Sequence, residues 1–98
     1  MAIESISPGQ FHAAEGVEDW RVGAGAAWAR FETGSCGVGL ALLNDIATLA
    51  ETQGHHPDLD LAYSHLTVRV WTHAVQGLST ADIALARGIS DLAALDRP

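Results

Sequence analysis

The sequence has no lysine, a single cysteine and no long apolar run, and each shortage excludes a class of protein. Its basic residues are five scattered arginines against twelve acidic residues, so the formal net charge is −7. A nucleic-acid-binding surface needs a basic patch that neutralises phosphates, and an anionic membrane surface makes the same demand. The composition therefore argues against direct binding to nucleic acid or to a membrane.

The one cysteine, Cys36, excludes an internal disulfide and a zinc site built from several cysteines. No basic segment followed by an apolar run opens the chain, so we expect no signal peptide. The longest apolar stretch, near residues 38–43, is too short to span a bilayer. We therefore expect a reducing, cytoplasmic location.

Apolar residues are what the chain has in quantity, at 48% of its 98 residues against 17% charged residues. This balance is typical of a folded globule, and the length suits one domain over residues 1–98. The apolar content is high for so small a surface. We therefore expect part of it to be buried between subunits.

The spacing of apolar residues predicts elements in the order α-β-β-α-β-β-α. Helices are predicted over residues 8–15, 37–52 and 80–94. Strands are predicted over residues 19–22, 26–32, 60–63 and 66–72. The predicted fold is an α+β domain: a four-stranded antiparallel sheet with the helices packed on one face.

The two predicted hairpins allow more detailed predictions. In the first hairpin, Trp20, Trp28 and Phe31 should supply the bulk. In the second, a two-residue turn at Ser64-His65 would place Asp60 opposite Arg69 as an ion pair. The alternation then predicts one buried face made of Leu61, Tyr63, Leu66, Val68 and Val70.

Three of the five histidines lie where one predicted element gives way to the next. His55 and His56 follow the central helix, and His73 follows the last strand. Since a helix packed on a sheet returns the chain to the strand ends, we expect the three imidazoles to converge. Imidazoles donate and accept protons near neutral pH, which is what general acid–base catalysis requires.

On spacing alone, these residues are also compatible with structural or metal-binding roles. A histidine at a helix end often only interacts with the helix dipole, and three histidines can hold a catalytic zinc, although adjacent histidines in an extended chain diverge. Glu51 is compatible with a solvated helix carboxylate, and Asp82 with a capping residue. Nothing in the sequence would activate Cys36 as a nucleophile. His12 and His65 are isolated and are expected to be structural.

One further pattern extends over residues 51–87: an acidic residue, His-His-Pro, an aromatic residue, Thr-His, Gly-Leu and Asp. The matching residues are Glu51, His55-His56-Pro57, Tyr63, Thr72-His73, Gly77-Leu78 and Asp82. In this order and spacing, the motif is similar to that of the pterin-4a-carbinolamine dehydratases. The chain departs from that family at the start of the central helix, where Thr33, Cys36 and glycines stand in place of phenylalanines.

The resemblance implies the same fold class and a specific reaction. A 4a-hydroxytetrahydropterin would lose water to give the quinonoid dihydropterin, as a step in tetrahydropterin recycling. His55 and His73 would be the general acid and base, and His56 would hold the pterin ring. Supporting roles are implied for Glu51, which would orient an imidazole, for Asp82, which would anchor the loop, and for Pro57 and Thr72.

The resemblance also implies a homodimer or homotetramer, assembled partly through the central helix, with no cofactor and no metal. The alternative is a non-enzymatic binding or assembly protein, because relatives on this scaffold act as a dimerisation cofactor for a transcription factor and as folding factors. Function depends on the site rather than on the fold, so the presence of all three histidines favours the enzyme.

Overall fold

The computed structural model describes residues 4–96, and this range contains three α-helices and one four-stranded sheet. The helices are α1 (Pro8–Ala13), α2 (Cys36–Gln53) and α3 (Thr80–Asp96). The strands are β1 (Arg21–Gly23), β2 (Ala26–Glu32), β3 (Asp58–Leu61) and β4 (His65–Val70), and a 3₁₀ turn at His73–Val75 follows β4. The element order confirms the predicted α-β-β-α-β-β-α fold.

The sheet is antiparallel throughout, with the strands in the order β1-β2-β4-β3. The two central strands, β2 and β4, pair from Ala27 opposite Val70 to Glu32 opposite His65. Because successive side chains point to opposite faces, one face is apolar and packs under the helices. Its buried residues in β2 and β4 are Ala27, Ala29, Phe31, Leu66, Val68 and Val70.

Helices α2 and α3 pack on each other and on this face. The hydroxyl of Ser35 accepts the backbone N–H of Val38 and so caps the start of α2. Gly54 ends the helix in the left-handed conformation at φ 66°, which a glycine adopts without steric cost. The core side of α3 consists of the buried residues Leu85, Ala86, Ile89 and Ala93 and the half-buried Leu92. No helix within residues 4–96 has both the length and the apolar character to cross a bilayer.

The first hairpin splits the aromatic residues predicted to supply its bulk. Trp20 and Phe31 are buried, and their rings meet edge to face with centroids 6.2 Å apart. Trp28 lies on the opposite face of the sheet, where it is 42% exposed. The core therefore receives two of these three side chains.

The β3–β4 hairpin has a different register from the predicted one. The chain reverses at Tyr63-Ser64, one residue earlier than predicted, and this moves every pairing along β3 by two positions. Arg69 consequently lies opposite Asp58, and its Nη1 is 2.7 Å from the Asp58 carboxylate. The predicted ion pair between Asp60 and Arg69 was wrong.

Contacts outside the hairpin fix the position of this turn. The carbonyl of Ser64 accepts the backbone N–H groups of Thr33 and Gly34 at 2.9 and 3.1 Å. These bonds hold Ser64 inside the turn and turn Tyr63 outwards, where it is 80% exposed. The predicted burial of Tyr63 was therefore wrong, whereas Leu61 is half-buried and packs against the core.

Candidate active site

A buried carboxylate at the start of α3 is the centre of the site. Asp82 is 0% exposed. Its Oδ2 accepts hydrogen bonds from the backbone N–H of Ser79 at 2.9 Å and from the hydroxyl of Thr72 at 2.8 Å. Its Oδ1 lies 2.7 Å from Nε2 of His55. These three partners offset the large cost of removing a carboxylate from water.

The chain folds back on itself after β4, and this brings the partners of the carboxylate together. Thr72 and Gly77 form an antiparallel bridge around the 3₁₀ turn His73–Val75. Ser79 then precedes α3, and Asp82 lies in the first turn of that helix. There its carboxylate accepts a free backbone N–H and interacts favourably with the helix dipole. Asp82 therefore completes a capping box with Ser79, whose hydroxyl accepts the Ala81 N–H at 3.2 Å, and it also organises the site.

His55 reaches the carboxylate from the segment that follows α2. Its backbone N–H donates to the carbonyl of Ala50, which directs the chain out of the helix. Pro57 then favours an extended conformation for the residue before it. The His55 side chain is 18% exposed, and its Nε2 also lies 3.5 Å from the hydroxyl of Thr72. Two segments distant in sequence therefore meet at one carboxylate.

The direction of the hydrogen bonds assigns the proton of the His55 ring. Thr72 has one hydroxyl hydrogen and donates it to Asp82, so the Ser79 hydroxyl, 2.7 Å away, donates to Thr72. A carboxylate oxygen only accepts, so Nε2 of His55 carries the hydrogen that points at Oδ1. Nδ1 is then the ring nitrogen left for a ligand.

For Ser79, the sequence predicts only a capping role at the start of α3, as the first residue of the capping-box pattern Ser79-Thr80-Ala81-Asp82. Ser79 is 0% exposed, its hydroxyl bonds to Thr72, and its backbone N–H bonds to Asp82. Its position just before a helix, with an acidic residue three positions later, was the available signal. That signal predicts the cap but gives no indication of the bond to Thr72.

His56 and Glu51 form a separate, exposed pair. His56 Nε2 lies 3.2 Å from Glu51 Oε1, and the two side chains are 58% and 78% exposed. The structure thus places Glu51 beside His56 rather than beside His55. An exposed pair of this kind contributes little stability. Its main consequence is to hold the His56 ring at the solvent-exposed end of α2, which we call the rim.

His73 lies in the 3₁₀ turn directly after Thr72, and its side chain is exposed. Its ring meets the ring of Trp71 edge to face, with centroids 5.6 Å apart and planes at 82°. The structure therefore brings His55, Thr72 and Asp82 into contact, while His56 and His73 make their ring contacts with Glu51 and Trp71. The expected convergence of the three imidazoles on one pocket therefore stays a prediction.

The other groups considered from the sequence lie apart from this network. Cys36 is the exposed first residue of α2. Among residues 4–96, no three His, Cys, Asp or Glu side chains cluster as a metal site requires. A groove of about 370 Å³ adjoins the 3₁₀ turn, lined by residues 5, 6 and 8, 22–25 and 75–78. This groove lies beside the histidine site but is not lined by the histidines.

Comparisons with known proteins agree with the motif. The sequence profile of the family described as pterin 4 alpha carbinolamine dehydratase matches residues 5–92. Two similar proteins carry the name "Putative pterin-4-alpha-carbinolamine dehydratase". The one from Nocardia farcinica is 34% identical over 94 residues, which cover 95% of this chain and 99% of that protein. The one from Aquifex aeolicus is 35% identical over 78 residues, which cover 80% and 79%.

Solved structures agree in fold. A transcriptional coactivator/pterin dehydratase from Brucella melitensis superposes with a TM-score of 0.80 at 24% identity, covering 92% of this chain and 98% of that chain. A pterin dehydratase-like protein described as a RuBisCO assembly factor in the alpha-carboxysome has a TM-score of 0.61 at 25% identity, covering 76% and 86%. From the profile match and the two relatives, this chain belongs to the pterin-4a-carbinolamine dehydratase family.

Proposed function

We propose that this protein removes water from a 4a-hydroxytetrahydropterin to give the quinonoid dihydropterin, as a step in tetrahydropterin recycling. The observation that carries the proposal is the network of His55, Thr72 and the buried Asp82, in which one imidazole is held in a defined tautomer beside the His73 segment. Membership of the family supports a pterin as the substrate.

The reaction requires two proton transfers and no change in oxidation state. The C4a–O bond breaks, its electron pair leaves with the oxygen, and a proton from an acid converts that oxygen to water. A base removes the proton from N5, and the electron pair of the N–H bond forms the C4a=N5 double bond. One acid and one base are sufficient, and such groups typically contribute about 10²–10⁴-fold in rate.

His55 and His73 are the proposed acid and base. His55 acts through Nδ1 because Nε2 is bonded to Asp82, and the carboxylate stabilises the positive charge of the ring whenever both nitrogens carry protons. His73, exposed in the adjacent turn, would act on the other end of the reacting C4a–N5 bond. His56, paired with Glu51 at the rim, holds the pterin ring.

The test is the rate of dehydration of synthetic 4a-hydroxytetrahydropterin, followed by absorbance with metal-free protein. We expect an acceleration over the spontaneous reaction that the double variant His55→Ala/His73→Ala loses. His65→Ala is the matched control, since His65 lies at the opposite end of β4 from Thr72. We expect it to keep the wild-type rate, and dialysis against a chelator to have no effect. Loss of activity on chelation would revive the zinc hypothesis.

A non-enzymatic binding or assembly role is the second candidate. It is favoured by the likeness to the pterin dehydratase-like protein described as a RuBisCO assembly factor. Folded wild-type protein that gives no acceleration would favour this role over the enzyme.

Assembly as a homodimer or homotetramer, and a cytoplasmic location, belong to the same proposal. Leu40 of α2 is 50% exposed, which is consistent with a helix that packs against a second subunit. Sedimentation equilibrium measures the assembly state, and Leu40→Glu should weaken the association.

A further inference from the structure

A row of stacked side chains crosses the exposed face of the sheet and ends at His73. The guanidinium carbon of Arg69 lies 5.4 Å from the ring centroid of Trp28 and 5.0 Å from that of Trp71. The Trp71 ring in turn meets the His73 ring edge to face at 5.6 Å. We call Trp28, Arg69, Trp71 and His73 the stacked row.

The sheet register produces this row. Trp28 and Arg69 are direct partners across β2 and β4, on the face opposite the buried core. Trp71 is two residues beyond Arg69, so the pleat directs both side chains to the same face. The planar guanidinium can stack on both indole rings at once, which a lysine ammonium could not do.

A carboxylate fixes the middle of the row. Arg69 Nη1 lies 2.7 Å from Oδ2 of Asp58, and the Arg69 side chain is only 30% exposed. Asp58 begins β3, immediately after His55-His56-Pro57. Arg69 is therefore connected to the strands on both sides of β4, and it cannot change rotamer without losing the ion pair and two ring contacts.

The row matters because His73 is exposed. An exposed imidazole samples several rotamers unless a neighbour restricts it, and catalysis loses rate when a reacting group is displaced by about 1 Å. We propose that Trp71, clamped by Arg69, is a positioning residue that holds the His73 ring in its reactive orientation. This inference rests on the proposed function only in giving His73 a catalytic role, because the restriction of its ring is measurable without turnover.

The decisive variant is Arg69→Met. Trp71 lies between Arg69 and His73 in the stacked row, so this variant removes the support of Trp71 without changing a residue that touches His73. We expect the ¹H signals of the His73 ring, displaced by the ring current of Trp71 in the wild type, to move towards those of a free histidine. We expect kcat to fall about tenfold and KM to change less than about twofold. Trp71→Leu should have the same kinetic effect, and Trp71→Phe, which keeps an aromatic ring, should restore much of the rate.

Three further variants separate the stack from other causes. Arg30 lies on the same face of the sheet but pairs with Glu32 rather than with the stacked row. Arg30→Met should therefore leave the His73 signals and the dehydration rate unchanged. Asp58→Asn removes the ion pair but keeps the stack, and its effect should be smaller than that of Arg69→Met. Arg69→Lys keeps the positive charge but lacks the planar guanidinium, so it should change the His73 signals and kcat as Arg69→Met does. If the methionine variant fails to fold, the same measurements are made on the lysine variant.

Two results for Arg69→Met would overturn the positioning role. One is that the His73 signals stay where they are in the wild type. The other is that they move to those of a free histidine while kcat stays at the wild-type value. A wild-type protein without dehydratase activity would instead overturn the proposed function. In that case the His73 signals would still show whether Arg69 and Trp71 restrict the ring, so the two failures are distinguishable.

Discussion

The two histidine segments of the site are held by different forces. His55 is largely buried, and one hydrogen bond to the buried Asp82 fixes both the direction and the tautomer of its ring. His73 is exposed, and its ring meets the aromatic ring of Trp71, which can restrict its rotation. In the proposed reaction, one small site would combine a proton carrier of fixed orientation with an exposed one. Substitution of His55 should therefore change stability and activity together, and substitution of His73 should change activity alone.

The largest effect should follow Asp82→Ala. It removes the acceptor of Thr72, of the Ser79 N–H and of His55 together. Because these donors stay buried or half-buried, we expect the free energy of unfolding to fall by about 3 kcal/mol. The dehydration rate should fall by about 10²-fold or more because the ring loses its orientation.

Urea unfolding and the absorbance assay measure the two effects of this change. Asp82→Asn is the matched variant, since it keeps the volume and one acceptor and should cost less stability than alanine. Wild-type stability in Asp82→Ala would contradict the role of the carboxylate as the centre of the site.

His55→Ala and His73→Ala compare the two segments directly. Each should lower the dehydration rate by about 10²-fold, because each removes one proton carrier. Only His55→Ala should also lower the free energy of unfolding, by about 1–2 kcal/mol, since it leaves a buried carboxylate oxygen without its donor. Equal losses of stability in the two variants would contradict the difference between the segments.

A smaller effect is expected from Thr72→Val, which keeps the shape of the side chain and removes its hydroxyl. Oδ2 of Asp82 and the hydroxyl of Ser79 each lose a partner. The expected loss is about 1–2 kcal/mol, with a several-fold lower kcat because the carboxylate that orients His55 is less well fixed. Thr72→Ser keeps the hydroxyl and should remain close to wild type. If serine were as damaging as valine, the methyl group rather than the hydrogen bond would be the important contact.

At the exposed rim, Glu51→Gln should change substrate binding alone. Its ion pair with His56 is solvated, so stability should be unaffected. We expect KM for the pterin to rise by about two- to threefold at unchanged kcat, as steady-state kinetics would show. A fall in kcat with KM unchanged would place Glu51 in the chemical step instead.

The smallest effect tests the register of the second hairpin. Asp58→Asn should reduce the free energy of unfolding by about 0.5 kcal/mol by removing the ion pair with Arg69. Asp60→Asn, the matched change on the same face, should have no measurable effect on thermal unfolding. The opposite ranking would support the register predicted from the sequence.

The element order could be predicted because apolar periodicity and capping residues are local signals. The register of β3 on β4 could not, because a shift by two residues keeps Leu59 and Leu61 on the same face and leaves the apolar pattern unchanged. What distinguishes the two registers is the pair of bonds from Thr33 and Gly34 to the Ser64 carbonyl, which come from another part of the chain.

The site shows the same limit. Its candidate residues were predicted from the family motif, but their hydrogen-bond and ion-pair partners were not. The bond between His55 and Asp82 joins positions 27 residues apart and exists only because α2 and α3 pack side by side. The pairing of Glu51 with His56 rather than His55 likewise depends on where the chain leaves α2. A spaced motif therefore does not predict which of its side chains contact one another.

The fixed tautomer of His55 is tested most directly by ¹⁵N NMR of histidine-labelled protein, at a pH where the ring is neutral. The hydrogen bond to Asp82 predicts the chemical shift of a protonated nitrogen at Nε2 and of an unprotonated nitrogen at Nδ1, and Asp82→Ala should abolish this preference. The reverse pattern in the wild type, or the averaged shifts of a free imidazole, would contradict a site organised around the buried carboxylate.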